Sequence, residues 1–427
     1  MITRIKQLTV LVGDIVLLYG ALFLTLLIRY QSIQHVDAHL IPFSCIFIVW
    51  IILLYAFGFY EIKNLKNTIE FGVLFLLAIG IGMISAIVLF YLIPYFHISP
   101  KTNLVIFSGV FVVLGLLWRF FFNTATRGYS QTVLVIGNSS HAQEILSYIT
   151  KNPHVGYAPL HISEPSKETI QEVLAKSPDY VIYDPELFEH EGPFSTLSQL
   201  LVTSHSISYH THEFYELLLK KVPLTKTSYT PPQQSFYLSI RPLIEKIVAL
   251  ILCIILLPLL ILIYLLVALT SKGGGIYLQE RIGKHETPFL IYKFRTMVHD
   301  AEKQGPQFAT HRDPRITLVG RFLRFTHLDE LPQLINVIKG DLSFVGPRPE
   351  RPQFVSQLKK QIPLYSIRHT IQPGITGWAQ VQYRYGSNKE DAEEKLRFDL
   401  YYVKHQSFFL DLIILTKTIK MVFFNYK

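Results

Sequence analysis

The chain has 427 residues, 50% of them hydrophobic, with 40 Lys and Arg against 31 Asp and Glu and a formal net charge of +9. That length allows two or three domains, and a mean hydropathy of +0.32 is too high for an ordinary soluble protein, so part of the surface faces lipid. The positive balance suits an anionic leaflet or a phosphorylated substrate. Nucleic acid is a third anionic partner and the weakest of the three, because nothing resembles a nucleic-acid recognition fold or a basic-aromatic module; no nucleic-acid partner is expected. The two cysteines, Cys45 and Cys253, both lie in apolar runs and offer neither a disulfide framework nor a thiolate metal site.

Four apolar stretches of spanning length come first, at about Leu8–Ile28, Leu40–Tyr60, Ile69–Ile93 and Asn103–Phe122. Each reaches the ~20 residues that cross a ~30 Å hydrocarbon layer. Arg4 and Lys6 precede the first, Lys63 and Lys66 separate the second and third, and Arg119 and Arg127 end the fourth. By the positive-inside rule these three sites are cytoplasmic, and four crossings satisfy all of them. No small-residue cleavage site follows Leu27, so the first stretch reads as a retained helix.

A different composition opens at Gln131. Thr132–Ile136 has a buried-strand pattern, Gly137–Ser140 a turn, and His141–Thr150 a helical pattern. Tyr180–Tyr183 and Ile207–His210 are further strands, with helices at Lys167–Ala175 and Phe214–Leu219. Alternating strand and helix implies a small parallel α/β domain. Its first turn is a broken dinucleotide fingerprint, because Ser139 and Ala142 stand where the second and third glycines belong. A docking or regulatory role is the better reading.

Leu224–Ser239 is a polar, proline-containing linker, and a fifth apolar run follows at Ile247–Leu269. By length it is a transmembrane helix. Pro258 lies at its midpoint, where proline kinks or breaks a helix. A crossing would also carry every later arginine and acid out of the cytoplasm. Those two points favour a helix–break–helix that dips into the membrane and returns. Near the C-terminus, Ser407–Tyr426 interleaves apolar residues with lysines. A basic amphipathic helix in the interface is the natural reading, and a core helix is the alternative.

Between these segments lies the chemistry. Asp329 and Glu330 head a short apolar helical pattern, with Arg321 and Arg324 before them and Arg348 and Arg351 after. Carboxylates ringed by guanidiniums suit phosphoryl transfer, which needs a nucleophile, a metal ligand and fixed positive charge. The prolines of Pro347-Arg348-Pro349 would aim Arg348. The stretches Gln279–Gly283 and Ile291–Met297 read as two strands of a hairpin, with Lys293 and Arg295 on one face. Trp378, in a turn-rich segment, is open as a nucleobase platform or as an interfacial anchor.

From about Arg241 to the C-terminus the chain resembles the bacterial polyprenyl-phosphate sugar-1-phosphate transferases, the monotopic phosphoglycosyl transferases. The resemblance rests on Gln279–Gly283, Lys293–Met297, Asp313–Thr317, Gly320–Arg324, Leu328–Leu334, Lys339–Asp341, Gly346–Glu350 and Pro373–Gln380. The earlier segments resemble the long form that initiates exopolysaccharide, capsule or O-antigen synthesis. The implied fold is a membrane protein with an α-helical bundle at 1–127, a degenerate Rossmann-like α/β domain at 128–223 and a linker at 224–240. A mixed α/β catalytic domain then fills 241–427, with a re-entrant helix at about 243–270 broken at Pro258 and an amphipathic helix at about 407–426.

The resemblance makes Asp329 the nucleophile toward a UDP-sugar, with Glu330 assisting as a metal-site partner or proton acceptor. It implies Mg²⁺ near Asp329 and phosphate binding by Arg281, Lys293, Arg295, Arg324 and Arg348. The acceptor would be polyprenyl (undecaprenyl) phosphate, met at the cytoplasmic face of the bacterial inner membrane, and a homodimer is open. Leu257 before Pro258 and His327 before the Leu-Asp-Glu run depart from the family's usual small polar residue and serine. A transferase moving only the sugar, with Asp329 as base, and a non-catalytic nucleotide-sugar-binding regulator are the rival readings.

Overall fold

The computed structural model describes residues 2–32, 35–60, 69–92, 101–126, 130–164, 166–184, 186, 206–224, 236–271, 273–298, 301, 313–383 and 388–424. The chain divides into two compact units, Met1–Leu218 and Leu219–Lys427. Five helices among the described residues are long and apolar enough to cross a membrane.

Four of them open the first unit: α1 (Ile2–Tyr30), α2 (Val36–Ala56), α3 (Ile69–Leu92) and α4 (Lys101–Ala125). Their shared core is aromatic, with Phe47 stacked on Phe107, Phe43 edge-on to both, and Trp50 donating Nε1–H to the Gly82 carbonyl at 2.9 Å. Arg119 corrects an expectation. It is not a loop cation marking a membrane face but is 1% exposed and grips Asp14 with both terminal nitrogens, at 2.5 and 2.7 Å. The Tyr60 hydroxyl donates to the same carboxylate at 2.8 Å. An apolar bundle tolerates such charges only when paired. Lys63, Lys66 and Arg127 lie outside the described residues.

The α/β part of this unit holds a parallel sheet ordered β2-β1-β3-β4, from β1 (Gln131–Ile136), β2 (Tyr157–Ile162), β3 (Tyr180–Tyr183) and β4 (Ile207–His210). Its helices are α5 (Ser140–Lys151), α6 (Lys167–Leu174) and α7 (Thr211–Leu219). The sequence reading missed β2, whose Pro159 argues against a strand; at a sheet edge the missing N–H costs nothing. The turn after β1 is closed to phosphate. Ser139 donates its backbone N–H and its hydroxyl to the Asp184 carboxylate, at 3.0 and 2.6 Å. Gly137, at φ +116°, lies so close to that carboxylate that a Cβ would overlap it. An internal anion thus fills the place at the start of α5 where a cofactor's phosphate would sit.

The second unit begins with α8 (Phe236–Thr270), one 35-residue helix. It takes in the last residues expected of the linker, and residues 225–235 lie outside the described set. Pro242 and Pro258 are inside it, and it is helical on both sides of Pro258 without an interruption. The expected break at Pro258 is therefore not found. A proline costs one ladder hydrogen bond, and packing on both sides can hold the helix through it. Ala249, Leu252, Cys253 and Leu256 pack on Ile291, Leu334, Val337 and Leu342. Beyond Pro258, Leu259, Leu260, Ile263 and Val267 pack on Phe294, Leu323, Leu328 and Leu331. Both halves thus lie along the same domain, while Ile251, Ile254, Ile255, Leu262 and Leu265 remain at least half exposed.

After α8 come the antiparallel hairpin β5 (Ile276–Ile282) and β6 (Pro288–Phe294), then α9 (Leu318–Thr326), a 3-10 segment at Leu328–Gln333 and α10 (Leu334–Lys339). Strand β7 (Ser343–Val345) pairs in parallel with β8 (Gly374–Thr376), with α11 (Pro352–Gln361) and a 3-10 segment at Tyr365–Thr370 between them. The chain closes with α12 (Trp378–Gln382), α13 (Lys389–Lys404) and α14 (Phe408–Phe424). Trp378 is neither a nucleobase platform nor an interfacial anchor. It is 2% exposed, packs with Phe398, Tyr402, Leu410 and Ile414, and donates Nε1–H to the Lys220 carbonyl. Helix α14 buries Leu410 and Ile414 in this core while Phe408, Phe409 and Ile419 stay exposed. The core reading therefore holds for one face of this segment, and its other face is exposed.

Candidate active site

The acid pair is set by a short run of local signals. The Thr317 hydroxyl caps α9 by accepting from the Gly320 amide at 2.9 Å. His327 ends the helix in the left-handed region at φ +56°, a conformation that costs a non-glycine residue some strain. That reversal swings the chain into the 3-10 segment carrying Asp329 and Glu330. Asn336 then locks this segment to the hairpin. Fully buried, its side chain accepts from the Tyr292 amide at 3.0 Å and donates to the Leu290 carbonyl at 2.7 Å. It satisfies backbone groups that β6 would otherwise leave unpaired.

Next to Tyr292, Lys293 reaches Glu330 Oε1 at 2.7 Å, and Arg348 Nη2 reaches the same oxygen at 3.3 Å. Burial pushes the Glu330 carboxyl up, but Arg348 and Lys293 together outweigh it and hold the group well below the usual carboxylate range. Glu330 is thus a fixed anion that orients two cations, a poor proton acceptor at neutral pH. Burial lowers Lys293, which Glu330 partly offsets. Asp329 differs from its neighbour. It is 8% exposed, and burial, then the charge of Glu330, raise its pKa above the ordinary value, against Lys293, Arg324 and His327. No described side chain hydrogen-bonds its carboxylate, whose oxygens stay available.

The loop bearing Arg348 is pinned at every carbonyl. Pro347 O accepts from the Gly374 amide at 3.0 Å, and Glu350 O from the Ile282 amide at 2.9 Å. Arg348 O accepts from Arg368 Nη2 at 2.8 Å, and Pro349 O from Arg281 Nη1 at 2.9 Å. A Cβ on Gly346 or Gly374 would collide with the facing backbone, so the two chains meet as closely as glycine allows. Arg281 also spends Nε and Nη2 on Gln279 Oε1, at 3.1 and 2.6 Å, and burial brings its pKa down to about 10. Its bonds make it a brace for the loop.

Lys293, Arg348, Arg281 and Gln333 line a cleft of about 10 Å³, room for about one water. Of the sequence-predicted residues, the structure brings together Asp329, Glu330, Lys293, Arg324, Arg348 and Arg281. Arg324 donates Nε–H to Thr296 Oγ1 at 2.8 Å and contributes to the field at Asp329. Arg295 donates to the Ile276 carbonyl at 3.4 Å and is not among the strongest charges on Asp329. Asn336, Gln333, Arg368 and His327 went unassigned by sequence. Only His327, an unusual residue at a helix end, carried a local signal.

A family model described as bacterial sugar transferase matches residues 236–425. A Bacillus subtilis (strain 168) protein provisionally named undecaprenyl-phosphate N-acetylgalactosaminyl 1-phosphate transferase is 47% identical over 132 residues, 31% of this chain and 74% of that protein. The chain belongs to the bacterial sugar transferase family. A longer relative, UDP-N-acetylgalactosamine-undecaprenyl-phosphate N-acetylgalactosaminephosphotransferase of Aeromonas hydrophila, is 46% identical over 165 residues. UDP-glucose:undecaprenyl-phosphate glucose-1-phosphate transferase of Escherichia coli (strain K12) is 41% identical over 184 residues. The matched stretch is 39% of this chain in the first case and 42% in the second, and spans 39% of the length of each of these two relatives.

Among the described residues no group of three or more His, Cys, Asp or Glu could hold a metal ion. Magnesium does not need one. It is commonly bound by one or two carboxylates with substrate phosphates and water completing the octahedron. Asp329 supplies one such carboxylate, while Glu330 is occupied by its two cations. The donor set fits Mg²⁺ brought in with a diphosphate.

Proposed function

We propose that this bacterial sugar transferase moves a sugar 1-phosphate from a UDP-sugar to undecaprenyl (polyprenyl) phosphate through a phospho-aspartyl intermediate. The observation that carries the reading is the contrast within the acid pair: Glu330 is clamped by Lys293 and Arg348, while the Asp329 carboxylate has no hydrogen-bond partner among the described residues. An Asp329 oxygen attacks the β-phosphorus, the bond from that phosphorus to the bridging oxygen breaks, and UMP leaves with the electron pair. The phosphate oxygen of the lipid then attacks the same phosphorus, and the aspartate leaves as carboxylate. The product is a polyprenyl diphosphate sugar. Mg²⁺ held by Asp329 and the diphosphate would supply charge neutralisation.

Lys293 and Arg348, oriented by Glu330, face the phosphate oxygens, and Arg324 adds positive charge beside Asp329. Leu328 and Leu331, flanking the acid pair, pack against Leu259, Leu260 and Ile263 of α8. The nucleophile is therefore within a residue of a helix whose other face is apolar and exposed. We read α8 as lying in the cytoplasmic leaflet of the bacterial inner membrane without crossing it, its exposed apolar face toward lipid, since both of its halves pack along one domain. On α9, Leu318, Phe322 and Phe325 are 85%, 59% and 66% exposed, an apolar stripe suited to the same lipid surface. An acceptor with its tail in lipid could then present its phosphate to Asp329.

The test uses the full chain in detergent, a panel of UDP-sugars and undecaprenyl phosphate. Release of UMP supports the reading. Release of UDP would instead indicate transfer of the sugar alone.

A further inference from the structure

We propose that a second cleft, between α11 and α13, receives the nucleoside end of the donor; this rests on the donor being a nucleoside diphosphate sugar. The base needs a home that the residues so far assigned do not offer. Trp378 is in the core, and the cleft beside Lys293 and Arg348 holds about one water. The second cleft measures about 250 Å³, just below the ~300–1,000 Å³ of whole small-molecule sites and right for part of a ligand.

Its location is what ties it to the chemistry. Glu350 lines it, two residues beyond Arg348 on the same pinned loop. Arg368 lines it too, and its Nη2 is the donor that holds the Arg348 carbonyl. A nucleotide laid along this loop would put its phosphates at the Arg348 guanidinium and its nucleoside past Glu350. The wall chemistry matches such a guest. Phe354, half-buried on α11, gives aromatic surface for a base, with the buried Tyr365 behind it. Gln357 and Gln361, exposed on α11, carry carboxamides that both donate and accept. An alternating carbonyl, N–H, carbonyl edge such as that of uracil needs both.

The experiment measures equilibrium binding of UMP to the full-length protein, by calorimetry in detergent, for the wild type and Gln357→Trp. Gln357 is exposed on a helix, so the bulky substitution fills the cleft without touching the core, and Gln361→Trp is a second probe from the same wall. UMP affinity should fall at least about tenfold in both tryptophan variants. Equal UMP affinity in the wild type and both tryptophan variants would overturn the assignment, as would a wild type that does not bind UMP. If UMP binding depends on Gln357 and Gln361 but no UDP-sugar yields UMP, the cleft stands and the proposed activity is what fails.

Discussion

Replacing Asp399 by Asn tests whether the pinned loop matters for turnover or only for folding. Arg368 is 6% exposed and its side chain meets Asp399 Oδ2, the Tyr365 hydroxyl and the Arg348 carbonyl, each at 2.8 Å. Removing one charge from a buried pair costs ~3–5 kcal/mol, and Asn keeps an acceptor, so a loss near the lower figure is expected. The same change loosens the anchor on Arg348, whose guanidinium is bonded to Glu330. A displacement of about 1 Å in a positioning group costs ~10²-fold in rate. The assay pairs a denaturation midpoint with initial rates of UMP release on the surviving folded protein. The expected result is a fall of about 10²-fold in kcat with a smaller change in acceptor KM. A destabilised variant whose kcat stays within about threefold of wild type would reduce the Asp399–Arg368 pair to a folding element and refute the loop argument.

Three further outcomes can be checked. Glu330→Gln removes a charge that raises Asp329 and frees Lys293, which lowers it, so the acid limb of the kcat/KM profile should move to lower pH while the rate falls by about 10²-fold; a limb that stays put or rises contradicts the charge assignment. Trp378→Ala should cost ~3–5 kcal/mol of stability and leave the donor KM of the folded protein unchanged, whereas a raised KM at full stability would restore a base-stacking role. Arg119→Met should destabilise the helical bundle by ~3–5 kcal/mol, and adding Asp14→Leu should recover most of that loss; no recovery in thermal melts would mean that the pair does not act as a unit.

The legible parts of this chain are those in which one local signal dominates. The four N-terminal helices follow from apolar length, and β1, β3 and β4 from short β-branched or aromatic runs. The acid pair and its arginines stand out because guanidiniums and carboxylates crowd one stretch. What escaped depends on contacts distant in sequence. Pro159 hid an edge strand, and the helix through Pro258 is held by packing that no window of sequence displays. Arg119 looked like a loop cation because its partner, Asp14, is 105 residues away. Trp378 looked exposed because a turn-rich segment can still fold inward. The roles of Asn336, Arg281 and Arg368 arise from carbonyls and amides of other segments, so only the assembled unit reveals them.

The most direct measurement is mass analysis of the protein after brief exposure to a UDP-sugar without lipid acceptor. A sugar-phosphoryl adduct on the peptide containing Asp329, formed with one equivalent of UMP and discharged by undecaprenyl phosphate, is the result expected. Substantial UMP release by Asp329→Asn, or an adduct on a different residue, would contradict the account.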